Sequence, residues 1–242
     1  MSACRSGVLA FGDSITNGGG ELQWGVALQS WALWVARGAG LPYSPYATDG
    51  ARIEDVVETQ IAAFRATARG DRFDLGCMYA GVNDVRAPDW DRSAFERAHT
   101  EALAFLAERC DRVLTVTLPL DLGRPRAGER IEEANAAIEV SAHAAGALVL
   151  DLRDFAARNL VMADHVHPTA FGQIAIAERA LDVLAADGLP VRVRPSTLIS
   201  YETTRLGRLR GDLTYAYRHA TVSSRAALSG AREAWGRRRR AA

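Results

Sequence analysis

From residue 7 to residue 186, short apolar runs alternate with longer segments whose apolar residues recur at helical spacing. That alternation confines the chain to an α/β fold, a parallel sheet covered by helices on both faces. The candidate strands are Gly7 to Phe11, Tyr43 to Ala47, Phe73 to Tyr79, Arg112 to Leu118 and Ala147 to Leu150. Helical segments are expected over Trp24 to Arg37, Ile53 to Ala66, Ser93 to Arg109, Glu129 to Ala144 and Thr169 to Ala186. Boundary residues agree with this reading: Ser93 can cap the third helix, Gly38 and Gly40 can end the first, and Pro168 suits the first turn of the last.

In an open parallel sheet, ligands bind in the crevice beyond the carboxyl ends of the strands. The residues just past each strand are therefore where chemistry belongs: Gly12-Asp13-Ser14, Asp49-Gly50, Gly81-Val82-Asn83-Asp84 and, in the loop before the final helix, Asp164-His165-Val166-His167-Pro168. Acyl transfer at neutral pH needs a hydroxyl activated by a base, a group holding that base, and donors aimed at the developing oxyanion. Ser14 sits in a strand-to-helix turn that can project its hydroxyl into the crevice. His167 supplies an imidazole whose ordinary pKa near 6.5 suits proton transfer. Asp164, three residues earlier, can fix the tautomer of that imidazole. The backbone N–H groups of Ser14 and Gly50 and the side-chain amide of Asn83 are the candidate oxyanion donors.

These four segments, in this order, resemble the SGNH or GDSL hydrolase family over residues 7 to about 186. The matching residues are Gly12-Asp13-Ser14-Ile15, the glycine of Asp49-Gly50-Ala51, Gly81-Val82-Asn83-Asp84, and Asp164 through His167-Pro168. The resemblance implies a flavodoxin-like three-layer α/β/α fold and hydrolysis of esters or thioesters. Ser14 is then the nucleophile, Asp164 and His167 complete a triad, and Gly50 and Asn83 assist at the oxyanion. One departure is Thr48 before Asp49-Gly50, where the family often carries asparagine. The leading expectation is a serine esterase acting on a small-molecule carboxylic ester through an acyl-enzyme. Two alternatives stand beside it: an acyltransferase using the same site, and a non-catalytic module that binds an acyl or sugar ligand.

Each residue also has a plainer reading. Ser14 can cap the following helix, and Asn83 can bridge a turn through its amide. His165 is as near to Asp164 in sequence as His167 but lacks the following proline, so it is taken as a surface or supporting residue. Asp13 and Asp84 flank the site and are expected to hold turns, with Asp13 also placed next to substrate. Trp24, Trp31 and Trp34 recur near helical spacing and read as core, except that Trp24 follows Gly18-Gly19-Gly20 and is a candidate acyl-pocket residue. The loop Arg86 to Arg92, with Pro88 and Trp90, is expected to shape the substrate entrance, Trp90 touching substrate. His99 and His143 fall in helical segments as solvated or packed side chains. No metal or cofactor is expected.

The 242 residues, 48% hydrophobic and 24% charged, suit an ordinary globular protein of one large domain or one domain plus an appendage. The formal net charge of zero conceals an asymmetry. Residues 1–190 hold 17 arginines and 26 acidic residues, a net −9, whereas residues 191–242 hold 12 arginines and 3 acidic residues, a net +9. The expected division is a hydrolase-like domain over 1–190 and a basic helical extension over 191–242. In that extension Leu206, Leu209, Leu213 and Tyr217 recur at helical spacing among Arg205, Arg208, Arg210 and Arg218. Such helices can fold onto the acidic body or a sister subunit, making a homo-oligomer through the extension, or lie on an anionic membrane surface, the less favoured option. Arg237 to Arg240 reads as unstructured, and no nucleic-acid motif accompanies it. Cys4, Cys77 and Cys110 are odd in number and lack metal-ligand spacing. Neither a signal peptide nor a run of ~20 apolar residues is present, so the default location is the cytoplasm.

Overall fold

The computed structural model describes residues 6–67, 72–123, 126–201 and 204–240, the stretch 226–240 by backbone alone. Five strands, β1 (Val8–Gly12), β2 (Tyr43–Pro45), β3 (Leu75–Tyr79), β4 (Val113–Val116) and β5 (Leu148–Leu150), form one parallel sheet in the order β2-β1-β3-β4-β5. All residues of β1, β3 and β4 are buried. Strands covered on both faces have no polar side to alternate with, which is why their sequences are continuous apolar runs. Pro45 is tolerated because β2 lies at the sheet edge.

The helices are α1 (Trp31–Ala39), α2 (Ile53–Asp55), α3 (Ile61–Thr67), α4 (Val82–Arg86), α5 (Arg92–Arg109), α6 (Arg130–Ala145), α7 (Ala170–Ala186) and α8 (Arg205–Arg240). A π-helical turn, Val56–Gln60, joins α2 to α3. Helices α1 and α7 pack together, as do α5 and α6. With the sheet between the two pairs, the architecture is the expected three-layer α/β/α sandwich, and the strand order is that of a flavodoxin-like sheet. An aromatic cluster of Phe11, Tyr46, Phe64 and Phe105 fills the space beside β1.

Several boundaries differ from expectation for local reasons. The first helix begins at Trp31, not Trp24, because Trp24 and Gly25 adopt positive φ (48° and 80°) and Ser30 caps the helix by accepting from the Ala32 N–H. Gly40 ends it in the left-handed conformation, with Gly38 still inside. Asp91, not Ser93, caps α5, and Thr169 caps α7 by accepting from Gly172, leaving Pro168 just before the helix. The five-residue α4 is too short to leave a periodic signal. Past Pro190 the chain stays on the body: the Arg192 N–H bonds the Gly38 carbonyl at 2.8 Å, and Arg194 pairs with Glu178 and Asp182. After a 3-10 turn at Pro195–Leu198 the extension forms one long helix, α8, whose backbone is helical through Arg240, in contrast to the unstructured end expected at Arg237 to Arg240. Cys77 and Cys110 are buried free thiols, and Cys4 lies outside the described residues. No described helix is long and apolar enough to cross a membrane.

Candidate active site

Four loops meet beyond the carboxyl ends of β1 to β3, and named side chains fasten each to the next. After β1, the Gly12 carbonyl accepts from the Thr48 N–H at 3.2 Å, and Asn17 donates to Asp49 at 2.9 Å, so the Ser14 turn is tied to the Gly50 loop. That loop is tied in turn to α4, where the Asn83 amide donates to the Ala51 carbonyl at 2.9 Å and the Asp84 carboxylate accepts from the Ile53 N–H. The fourth loop reaches Ser14 through Gln173 of α7, whose side-chain amide donates to the carbonyls of both Ile15 and Gly19 at 2.9 Å. Gly12 needs its positive φ of 145° and the absence of a side chain, because a Cβ there would lie 2.2 Å from the Tyr79 carbonyl oxygen.

At the centre, Ser14 Oγ lies 3.0 Å from His167 Nε2, and His167 Nδ1 lies 2.8 Å from Asp164 Oδ2. Asp164 Oδ1 accepts from the backbone N–H groups of Val166 and His167. Burial opposes ionisation of Asp164, but the hydrogen bonds from His167 and from these two N–H groups outweigh it and hold the carboxyl below its ordinary pKa. For His167 the hydrogen bond to Asp164 dominates over burial and raises the imidazole above 6.5, with the charges of Asp164 and Asp13 acting in the same direction. A polarised imidazole with a fixed tautomer faces a partly exposed serine hydroxyl. Such an arrangement can take a proton from an attacking hydroxyl and return it to a leaving group.

Two backbone N–H groups of the loops joined here, those of Ser14 and Gly50, carry no acceptor among the described residues. Asn83 spends one of its two amide hydrogens on Ala51 and keeps the other. The Asn83 bond to Ala51 ties α4 to the loop that carries Gly50.

Of the residues expected to touch substrate, Asp13 is enclosed, whereas Trp24 and Trp90 are held by contacts of their own. Asp13 is fully buried: its Oδ1 accepts from the Ile15 N–H, Oδ2 has no partner among the described residues, and burial pushes its pKa to about 7. It anchors the turn from beneath, and no part of it can touch substrate. Trp24 packs edge-on against Phe171 and lines a cavity of about 790 Å³ between the 21–25 loop and α8, along with Tyr201, Arg210 and Tyr215. Trp90 donates its indole N–H to Glu133 and tilts against Phe95, while Asp89 in the same loop pairs with Arg52. His165 bonds Asp121 at 2.8 Å. His99 is fully buried, and burial drives its pKa down to about 3.

Two glutamines escaped the sequence reading. Gln60, in the π-helical turn, accepts from the Gly12 N–H at 2.9 Å and donates to the Gly12 carbonyl at 2.7 Å, clamping the residue that leads into the nucleophile turn. Gln173, described above, also accepts from the Trp31 N–H at 2.8 Å. Neither stands in a motif; their signal is burial of an uncharged polar side chain, which only the fold reveals. Among the described residues no cluster of His, Cys, Asp and Glu is arranged to hold a metal ion.

A sequence profile described as the GDSL-like Lipase/Acylhydrolase family matches residues 10–174. No curated protein matches in sequence. Among solved structures, Axe2, an acetylxylan esterase from Geobacillus stearothermophilus, is similar at 18% identity and a TM-score of 0.58, covering 79% of this chain and 99% of that one. A member of the lipolytic protein G-D-S-L family from Veillonella parvula is similar at 20% identity and a TM-score of 0.59, covering 74% and 98%. LAE5, an alpha/beta hydrolase enzyme from the metagenome of Lake Arreo, Spain, is similar at 20% identity and a TM-score of 0.58, covering 76% and 96%. At these identities the likeness carries the fold and not the substrate.

Proposed function

This chain belongs to the GDSL-like lipase/acylhydrolase family, and from that premise we propose that it is a serine esterase that hydrolyses carboxylic esters through an acyl-enzyme. The observation that carries the reading is the unbroken hydrogen-bond chain from Ser14 Oγ through the His167 ring to Asp164, at 3.0 and 2.8 Å. Ser14 Oγ attacks the ester carbonyl carbon while its proton passes to His167 Nε2. The carbonyl oxygen gains the negative charge and is met by the N–H groups of Ser14 and Gly50 and the free amide hydrogen of Asn83. Collapse of the tetrahedral adduct breaks the bond to the alcohol oxygen, which takes the proton from His167 and leaves. Water, deprotonated by the same imidazole, then releases the acid and restores Ser14. Asp164 stays ionised throughout and holds Nδ1 in the protonated tautomer. Asp13 serves as a support of the turn in this scheme.

The test is turnover of a series of p-nitrophenyl esters, from acetyl to long acyl chains, by wild type, Ser14→Ala and His167→Ala. Loss of turnover by roughly 10⁴-fold in both variants is expected. Activity persisting in Ser14→Ala would overturn the nucleophile assignment. Adding competing alcohols and analysing the products tests hydrolysis itself, because transfer of the acyl group to alcohol as the main outcome would make the protein an acyltransferase.

A further inference from the structure

Helix α8 rests on the body by one face and turns an apolar stripe outward. Its inner side is fastened by an ion pair between Arg218 and Glu21, by Arg158 pairing with Asp212 at 3.3 Å and lying over the Tyr215 ring, and by Gly211 against the Trp24 indole. On the opposite side Leu206, Leu209, Leu213 and Tyr217 are 78%, 55%, 63% and 74% exposed. Their spacing of three, four and four residues puts all four within one helical face. A helix held only by its own domain would be expected to bury such a stripe inward. Here the body takes the polar face and the apolar one is left to another occupant.

Charge decides what that occupant is. Between residues 205 and 225 the helix carries Arg205, Arg208, Arg210, Arg218 and Arg225 against the single acid Asp212, which is already paired with Arg158. Among the described residues no carboxylate lies within ion-pair distance of Arg205, Arg208, Arg210 or Arg225. The whole segment from 191 onward has 12 arginines and 3 acids. Pairing with α8 of a second copy would satisfy the leucines but would set one arginine-rich helix against another. A bilayer rich in anionic headgroups satisfies both features at once, with acyl chains for the stripe and phosphates for the guanidinium groups.

We propose that α8 is a membrane-docking helix that lays Leu206, Leu209, Leu213 and Tyr217 in the plane of an anionic lipid surface. Its attachment point gives the docking a consequence. Glu21, the partner of Arg218, bridges in parallel to Thr169, two residues past His167, and the Ala170 N–H bonds the Glu21 carbonyl at 2.8 Å. The docked helix is thereby linked, through Glu21, to the chain two residues past His167.

The experiment is co-sedimentation of the full chain with vesicles of phosphatidylcholine alone or of phosphatidylcholine mixed with phosphatidylglycerol, at low and high salt. Retention on the anionic vesicles, weakened by salt and absent on the neutral ones, is expected. Replacing Leu206, Leu209 and Leu213 together by Glu should weaken retention by roughly tenfold or more, with the thermal unfolding transition unchanged because these side chains are exposed. A second variant, Arg205→Ala with Arg210→Ala, should weaken retention on anionic vesicles and lessen its dependence on salt. Wild type left in the supernatant with anionic vesicles overturns the proposal, as does undiminished retention of both variants. A dimer in sedimentation equilibrium that the leucine replacements dissociate would assign the stripe to a second copy and overturn it equally.

Discussion

Asn83, in the first turn of α4, donates its side-chain amide to the carbonyl of Ala51 at 2.9 Å, and so fastens the loop bearing Gly50 to α4. In the proposed mechanism the second hydrogen of the same amide meets the oxyanion. Asn83→Ala should therefore lower kcat by about 10²- to 10³-fold, the usual effect of removing one such donor, with a smaller change in KM. Asn83→Asp should be no better, since an ionised carboxylate accepts and cannot donate. Steady-state kinetics on a p-nitrophenyl ester separate the two parameters. A change confined to KM would assign Asn83 to loop closure alone.

The hydrogen bond from His167 to Asp164 raises the imidazole above its ordinary 6.5, and only the neutral ring can accept the Ser14 proton. The logarithm of kcat/KM should then climb with pH and level off at an inflection above 6.5. The nearby Arg86 charge acts the other way and lowers the imidazole pKa, so Arg86→Gln should move the inflection further up. Asp164→Asn removes the group that fixes the tautomer, and kcat should fall by about 10⁴-fold. A pH–rate profile of the three proteins checks both statements, and an inflection below 6.5 in wild type would contradict the first.

How much of this was legible in the sequence depended on whether a residue's role is local. Ser14 and the Asp164–His167 pair follow a strand or precede a helix, where the rule that ligands gather at strand exits points, and the fold joins the three in one hydrogen-bond chain. The strands were legible for the same kind of reason: β1, β3 and β4 are apolar along their whole length because both faces are covered. Trp24 reads as helical because tryptophans at 24, 31 and 34 mimic helical period, whereas the chain turns at Trp24 and Gly25 with positive φ. Asp13 reads as a candidate for substrate contact until its complete burial is seen. Gln60 and Gln173 carry no motif at all, since what they bond lies 48 and 158 residues away in sequence. Tertiary neighbours of that kind leave no trace in periodicity or spacing.

Gln60 offers a direct test of the clamp on the nucleophile turn. Its side chain is 1% exposed and pairs with both the N–H and the carbonyl of Gly12, and with the Thr48 hydroxyl at 3.1 Å. Gln60→Leu preserves approximate volume but leaves the buried Gly12 N–H unpaired and the Gly12 carbonyl with the Thr48 N–H alone, at a cost of about 1 to 3 kcal/mol if the N–H finds no water. Denaturant unfolding should show that loss as a lower midpoint with an unchanged slope. Turnover should fall as well, because Gly12 leads directly into the turn that aims Ser14. A variant of wild-type stability with full turnover would show that the clamp is dispensable.

His99 and Asp13 are both fully buried, yet they bend the dependence of stability on pH in opposite directions. For His99 the folded pKa of about 3 lies below the ordinary 6.5, so the unfolded chain binds the extra proton and stability is lost as pH falls through 6.5 toward 3. For Asp13 the folded pKa of about 7 lies above the ordinary 3.8. Its contribution is fully present below 3.8 and disappears as pH rises toward 7. The two slopes overlap between about 4 and 6.5 and largely cancel in wild type, so single substitutions are needed to expose them. Between pH 7 and pH 5, His99→Leu should gain about 2 kcal/mol relative to wild type, because it removes a group that resists protonation. Asp13→Asn should shift the other way over the same interval, since it removes a group that welcomes a proton. Urea unfolding of the three proteins at the two pH values measures both differences, and parallel changes in the two variants would refute the assignment of opposite signs.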